Sequence, residues 1–136
     1  MVRKLRKAWQ LAPRRACSPD AIETQAIITA CETLIASVLK PRALPATRRV
    51  DCNYLIDIRG DWRAGRYRFL SRYRSGMAHN EGYEFDSPFA RIDHMGPHCF
   101  DIHWMRHTGA WWPICTGKTL TEALHVIETE DVFRFF

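Results

Sequence analysis

Residues 50–74 read VDCNYLIDIRGDWRAGRYRFLSRYR, and the period of this stretch decides the fold. Val50, Cys52, Tyr54, Ile56 and Ile58 recur at every second position, and so do Tyr67, Phe69, Ser71 and Tyr73. A spacing of two puts each set on one face of a half-buried strand. The intervening GDWRAG is expected to join the two strands as a loop. If Ile58 faces Tyr67 and Ile56 faces Phe69, then Asp57 falls opposite Arg68, Leu55 opposite Leu70 and Asp51 opposite Arg74. Both faces of the hairpin agree in that register. Arg66, Arg68, Arg72 and Arg74 then line one face of the second strand, with no carboxylate directly opposite Arg66 or Arg72.

Upstream of this hairpin the period is helical. Ser18 is a natural N-cap, Pro19 sits where a helix tolerates proline, and Ile27, Ile28, Cys31, Leu34, Ile35 and Val38 recur at three- and four-residue steps. Lys40-Pro41 is expected to end the helix, and PRALPATRR to connect it to the sheet. Downstream, the loop SGMAHNEGYEFDS leads through Pro88 to a second hairpin, FARIDHM and CFDIHWMRH, turning at Gly96-Pro97-His98. Aligning Ile92 with Ile102 sets Ala90 opposite Trp104 and His94 opposite Phe100 on the core face, with Arg91, Asp93, Asp101 and His103 on the other. AWWPIC reads as a fifth, short strand whose Pro113 belongs at a sheet edge. Thr119 and Glu122 form a capping box for a last helix from Leu120 to about Thr129, with Leu120, Ala123, Leu124 and Ile127 inward. The tail VFRFF either adds a strand or docks.

A chain of 136 residues with 46% hydrophobic content is expected to make one domain with one core. Six basic residues and no acid precede Ala16 (Arg3, Lys4, Arg6, Lys7, Arg14 and Arg15), so of the net +5 the rest of the chain carries −1. Residues 1–17 therefore read as a basic flexible arm and residues 18–136 as the globular domain. No apolar run approaches the ~18 residues of a membrane span, so a soluble protein without a membrane partner is expected. Cys17, Cys31, Cys52, Cys99 and Cys115 make an odd count without a CxxC pair, which fits neither a disulfide framework nor a zinc ribbon and points to a reducing cytoplasm.

HMGPHCFDIHWMRH gathers His94, His98, Cys99, His103 and His107, all metal-binding types. On an extended strand His103 and His107 lie roughly 13 Å apart, as do Cys99 and His103, whereas zinc ligands converge within about 2 Å of one centre. No metal and no cofactor is expected. Thr116-Gly117-Lys118-Thr119 lacks the leading glycine of a phosphate loop and reads as a helix start. Asp93, Asp101 and His103 share a face, but no nucleophile or elbow accompanies them, so the reading is non-enzymatic. Cys52, on an apolar strand face, is expected in the core.

Pro88-Phe89-Ala90-Arg91-Ile92, then FDIHWMR with Trp104 and Arg106, then Trp111-Trp112, form a further pattern. With the leading helix, the proline-bearing connector and the terminal EDVFRFF, residues 19 to 136 resemble an uncharacterised bacterial family catalogued as a domain of unknown function, three-zero-two-four. Phe100 departs from the tryptophan of that pattern, and WWP from its tryptophan-histidine-x-tyrosine ending. The resemblance implies an architecture and brings no activity, substrate or site residue with it.

The fold expected is α+β: an N-terminal helix, a strongly bent five-stranded antiparallel sheet closing partly into a Sm-like or SH3-like small barrel, and a C-terminal helix. Unpaired arginines on a sheet suit phosphate. The function expected is thus binding of RNA or single-stranded nucleic acid through Arg66, Arg68, Arg72, Arg74 and the arm. The alternative is a protein-interaction or self-assembling module, a homo-oligomer formed at a sheet edge through Trp111, Trp112, Phe133, Phe135 and Phe136.

Overall fold

Asp20, rather than Ser18, caps the first helix: its carboxylate accepts the Glu23 N–H at 2.8 Å. The structure, a computed structural model, describes residues 15–44 and 51–134. Helix α1 (Ala21–Leu34) does not stop at Lys40-Pro41 as expected. It passes through a π-helical turn, Ile35–Leu39, into α2 (Lys40–Ala43). Proline brings no N–H and presses its ring on the carbonyl four residues back, so a widened turn just before Pro41 lets the helix continue. The same turn advances the buried stripe by one residue. Ile27, Cys31, Leu34 and Ile35 are followed inward by Leu39, and Val38 is only half-buried. By length and composition the whole helix, Ala21–Ala43, could cross a membrane, which a search for unbroken apolar runs overlooks because Thr, Ser and Glu32 interrupt it. In this fold its apolar stripe packs on the sheet.

Five strands follow: β1 (Asn53–Arg63), β2 (Arg66–Ser75), β3 (Glu84–Gly96), β4 (Cys99–Met105) and β5 (Trp111–Lys118). They form one antiparallel sheet in sequence order, with β1 and β5 at its edges, so the barrel stays open. Helix α3 (Leu120–Thr129) packs with α1 over the same face. The core combines Ile27, Cys31 and Leu39 with Ile58, Tyr67, Phe69, Ile92 and Ile102 of the sheet and Ala123 and Ile127 of α3. The architecture is the α+β arrangement of helix, five-stranded meander and helix.

The first hairpin differs from its expected register. Ile58 lies opposite Ser71, Asp61 opposite Arg68, and Arg63 opposite Arg66. GDWR is not a loop, because β1 continues to Arg63 and the turn is only Ala64-Gly65. Both turn residues have positive φ (50° and 80°), the left-handed pair that matches the twist of a two-residue hairpin. A bulge between Leu55 and Asp57 reverses the alternation, so Leu55 and Ile58 are both buried while Ile56 and Asp57 are half-exposed. Tyr54 rather than Asp51 pairs with Arg74, and Cys52 is exposed before the strand instead of buried in the core.

The second hairpin has the expected register: Ile92 opposite Ile102, Ala90 opposite Trp104, His94 opposite Phe100. Pro113 stands on the β5 edge. Thr119 and Glu122 form the expected capping box. After α3 a 3-10 turn, Asp131–Phe133, docks the tail and buries Phe133 to 2% exposure. Phe135 and Phe136 lie outside the described residues, as do Arg3, Lys4, Arg6, Lys7 and Arg14.

Candidate functional site

The arginines of β2 do stand in a row, but each has a carboxylate. Arg68 grips Asp61 through two hydrogen bonds, at 3.0 and 2.7 Å. Arg72 donates to Glu84 at 3.2 Å and to Asp86 at 3.1 Å, and Arg74 to Glu84 at 3.3 Å. Arg66 reaches Asp93 at 3.5 Å. Asp61 comes from the far end of β1, Glu84 and Asp86 from the Glu84–Ser87 part of β3, and Asp93 from further along β3. The expected register misaligned the first and treated the second as a loop. Arg59, assisted by Arg72, holds the Asp86 carboxyl below its ordinary range. Arg66 and Arg72, expected without a carboxylate opposite them, therefore belong with Arg68 and Arg74 to an ion-paired network that roofs the buried Leu70.

Asp93, Asp101 and His103 share the face away from the helices, as their alternation requires. Asp93, 4% exposed, is clamped by Arg91 through bonds of 2.7 and 3.0 Å. The His103 Nδ1 lies 3.8 Å away, beyond hydrogen-bond reach. Asp101 accepts the Gly117 N–H at 3.1 Å and fixes the approach to α3. Burial pushes the His103 pKa down; Asp93 opposes this and Arg91 reinforces it. Arginine already saturates Asp93, so these groups serve the sheet. Among the described residues no group of three or more His, Cys, Asp or Glu could hold a metal ion.

A different feature has the make-up of a binding site. A cleft of about 530 Å³ opens between β2, β3, the β4–β5 turn and the terminal 3-10 turn. Ser71 and Ser87 contribute hydroxyls, Tyr73 and Phe89 rings, and Arg106, His107 and Arg134 cationic or protonatable groups. No carboxylate lines it. Phe133, expected as an exposed interface residue, is instead part of its wall. The Arg106 guanidinium sits 4.8 Å over the ring of Trp112, which is 51% exposed, while Arg91 covers the half-buried Trp111 at the same distance. On the opposite side Tyr73 stacks on Phe85 at 5.6 Å, and Phe85 on the exposed Tyr83 at 6.1 Å. A cationic cleft thus lies between two aromatic platforms.

The sequence singles out Trp112 and Phe133 as interface residues and marks Arg106, His107 and Phe89 in other patterns, but nothing in it joins them to Ser71, Tyr73, Ser87 and Arg134. The lining comes from four separate segments, and only the docking of the 3-10 turn brings Arg134 to the others. A family model described as Domain of unknown function (DUF3024) matches residues 19–136. The chain belongs to the DUF3024 family. No curated protein and no solved structure matches it. The cleft lies wholly within the matched DUF3024 segment, and the segment before Pro19 lies outside it.

Proposed function

We propose that this DUF3024 protein is a non-enzymatic binding module for single-stranded nucleic acid, and that the strand runs through the cleft rather than along the β2 arginines. The observation that carries the reading is the cleft's composition: Arg106 and His107 without a lining acid, joined by Arg134, which pairs at 3.3 Å with the exposed Asp131 outside the lining, and flanked by exposed Trp112 and Tyr83. Phosphates favour such cations, and every base offers a ring face for stacking. Arg106 poised over Trp112 extends the platform by a cation–π contact. The β2 arginines already hold carboxylates, and a phosphate would have to displace them.

The test is fluorescence anisotropy with labelled single-stranded RNA and DNA, and a duplex control. Trp112→Ala should weaken binding about tenfold, consistent with ~1–3 kcal/mol per stacked base, and Arg106→Ala should weaken it further at low salt. Arg72→Ala should change little. Absence of binding, or loss confined to Arg72→Ala, overturns the proposal. The uncovered β5 edge supports a second reading, self-association through Trp112. Sedimentation of the intact chain and of Trp112→Ala decides that, because an interface between copies would give a dimer that the variant dissolves.

A further inference from the structure

The segment before α1 crosses the turn of the first hairpin, where a Cβ on Gly65 would come within 2.7 Å of the Cys17 carbonyl oxygen. Three residues meet there that the sequence separates widely. The Cys17 N–H donates to the His94 carbonyl at 2.7 Å, and the His94 N–H to the Gly65 carbonyl at 2.9 Å. The His94 ring, buried edge-on against Phe100, places Nδ1 2.8 Å from the Cys17 carbonyl oxygen and 3.3 Å from Cys17 Sγ. Its Nε2 lies 3.0 Å from Glu23 Oε1. An exposed thiol within reach of a histidine ring that a third group orients is the arrangement by which a cysteine nucleophile is activated.

We propose that Cys17, His94 and Glu23 form a thiol modification site that takes a small peroxide. Cys17 is exposed, so a reagent of two heavy atoms reaches its sulfur directly from solvent. In the step, a sulfur electron pair attacks one peroxide oxygen; the S–O bond forms as the O–O bond breaks. His94 Nδ1 takes the thiol proton as the sulfur attacks and hands it to the departing hydroxide, which leaves as water. The sulfur is oxidised by two electrons to sulfenic acid, the peroxide is reduced, and the ring returns to its starting state. Glu23 touches neither reactant and acts as a positioning residue for the ring. The other charged groups flanking the site are Asp20 at the helix cap and Arg15 in the same segment; the hairpin turn offers backbone only.

Hydrogen peroxide with a sulfenic-acid trap, read by peptide mass spectrometry on the full-length reduced chain, tests this. Cys52, also exposed and without a histidine partner among the described contacts, is the internal reference. Cys17 should be trapped about tenfold faster than Cys52 at neutral pH. Glu23→Gln, at a half-exposed position, should bring the Cys17 rate towards that of Cys52, and Glu23→Asp should restore part of the difference. If the two cysteines react alike, or if Glu23→Gln leaves Cys17 unchanged, His94 is only a clamp for the segment and the proposal fails.

Discussion

His103 shows how a side chain of functional type can be taken up by structure. Its Nδ1 is buried without a hydrogen-bond partner, and burial depresses its pKa below the ordinary value of 6.5. The unfolded chain therefore binds a proton at this residue more readily than the folded one. Stability from this residue is fully present above the unfolded value and is lost as pH falls from about 6.5 through the lower folded pKa. Replacing His103 by Asn should remove that slope: the stability difference between wild type and variant, measured by urea titration at several pH values, should shrink or reverse on acidification. Parallel curves would show that the ring does not titrate in this way. Gly60 makes a simpler case. A Cβ there would overlap the Tyr67 ring, which is 1% exposed and packed edge-on against Phe69 at 5.0 Å, so it cannot swing aside. Gly60→Ala should cost about 1–3 kcal/mol in chemical denaturation. An unchanged midpoint would mean that β1 shifts to make room.

Among the elements, those whose geometry is local were legible. The second hairpin was read in register because its core pairs, Ala90 with Trp104 and Ile92 with Ile102, run without a bulge between them. The last helix was read because its capping box is four residues long: Thr119 accepts the Glu122 N–H at 3.2 Å and Glu122 accepts the Thr119 N–H at 2.9 Å. Those bonds hold the Glu122 carboxyl below its ordinary range. Thr119→Ala should therefore cost ~1 kcal/mol, visible as a lowered denaturation midpoint, whereas Thr121→Ala on the exposed first turn should not. The first hairpin was misread because a bulge at Leu55/Asp57 leaves no mark in a two-residue period, and because Ala64-Gly65 closes a turn that six residues were expected to span. Arg66 and Arg72 looked unpaired for another reason: their carboxylates, Asp93, Glu84 and Asp86, stand on β3, on the other side of β2 from the hairpin partner. The cleft was out of reach for a different reason: its walls are contributed by residues around 71, 88, 106 and 133, which are neighbours only after the sheet has formed.

For the whole molecule the question is where its positive charge can act. On the sheet surface six arginines, Arg59, Arg66, Arg68, Arg72, Arg74 and Arg91, share four acids, Asp61, Glu84, Asp86 and Asp93, so the network keeps a formal +2 although each of its arginines is held in a direct ion pair. The candidate contacts for a polyanion are the cleft, with two arginines, of which Arg134 also pairs with Asp131 at 3.3 Å, and one histidine, and the six basic residues before Ala16. Each phosphate neutralised on a single strand releases counterions, and log affinity falls against log salt with a slope of about 0.7 per contact. Binding confined to the cleft should thus give a slope of magnitude roughly 1.4 to 2.1, for two or three cations. If the basic residues before Ala16 join in, their six charges should raise it to about 6. Removing residues 1–14 should leave a shallow slope unchanged but collapse a steep one. A steep slope that survives the truncation would fit neither source, and would require the β2 arginines to abandon their carboxylates for phosphate. Arg72→Ala would then lower the slope by about one contact, and the proposed path of the strand would move from the cleft to the outer face of the sheet.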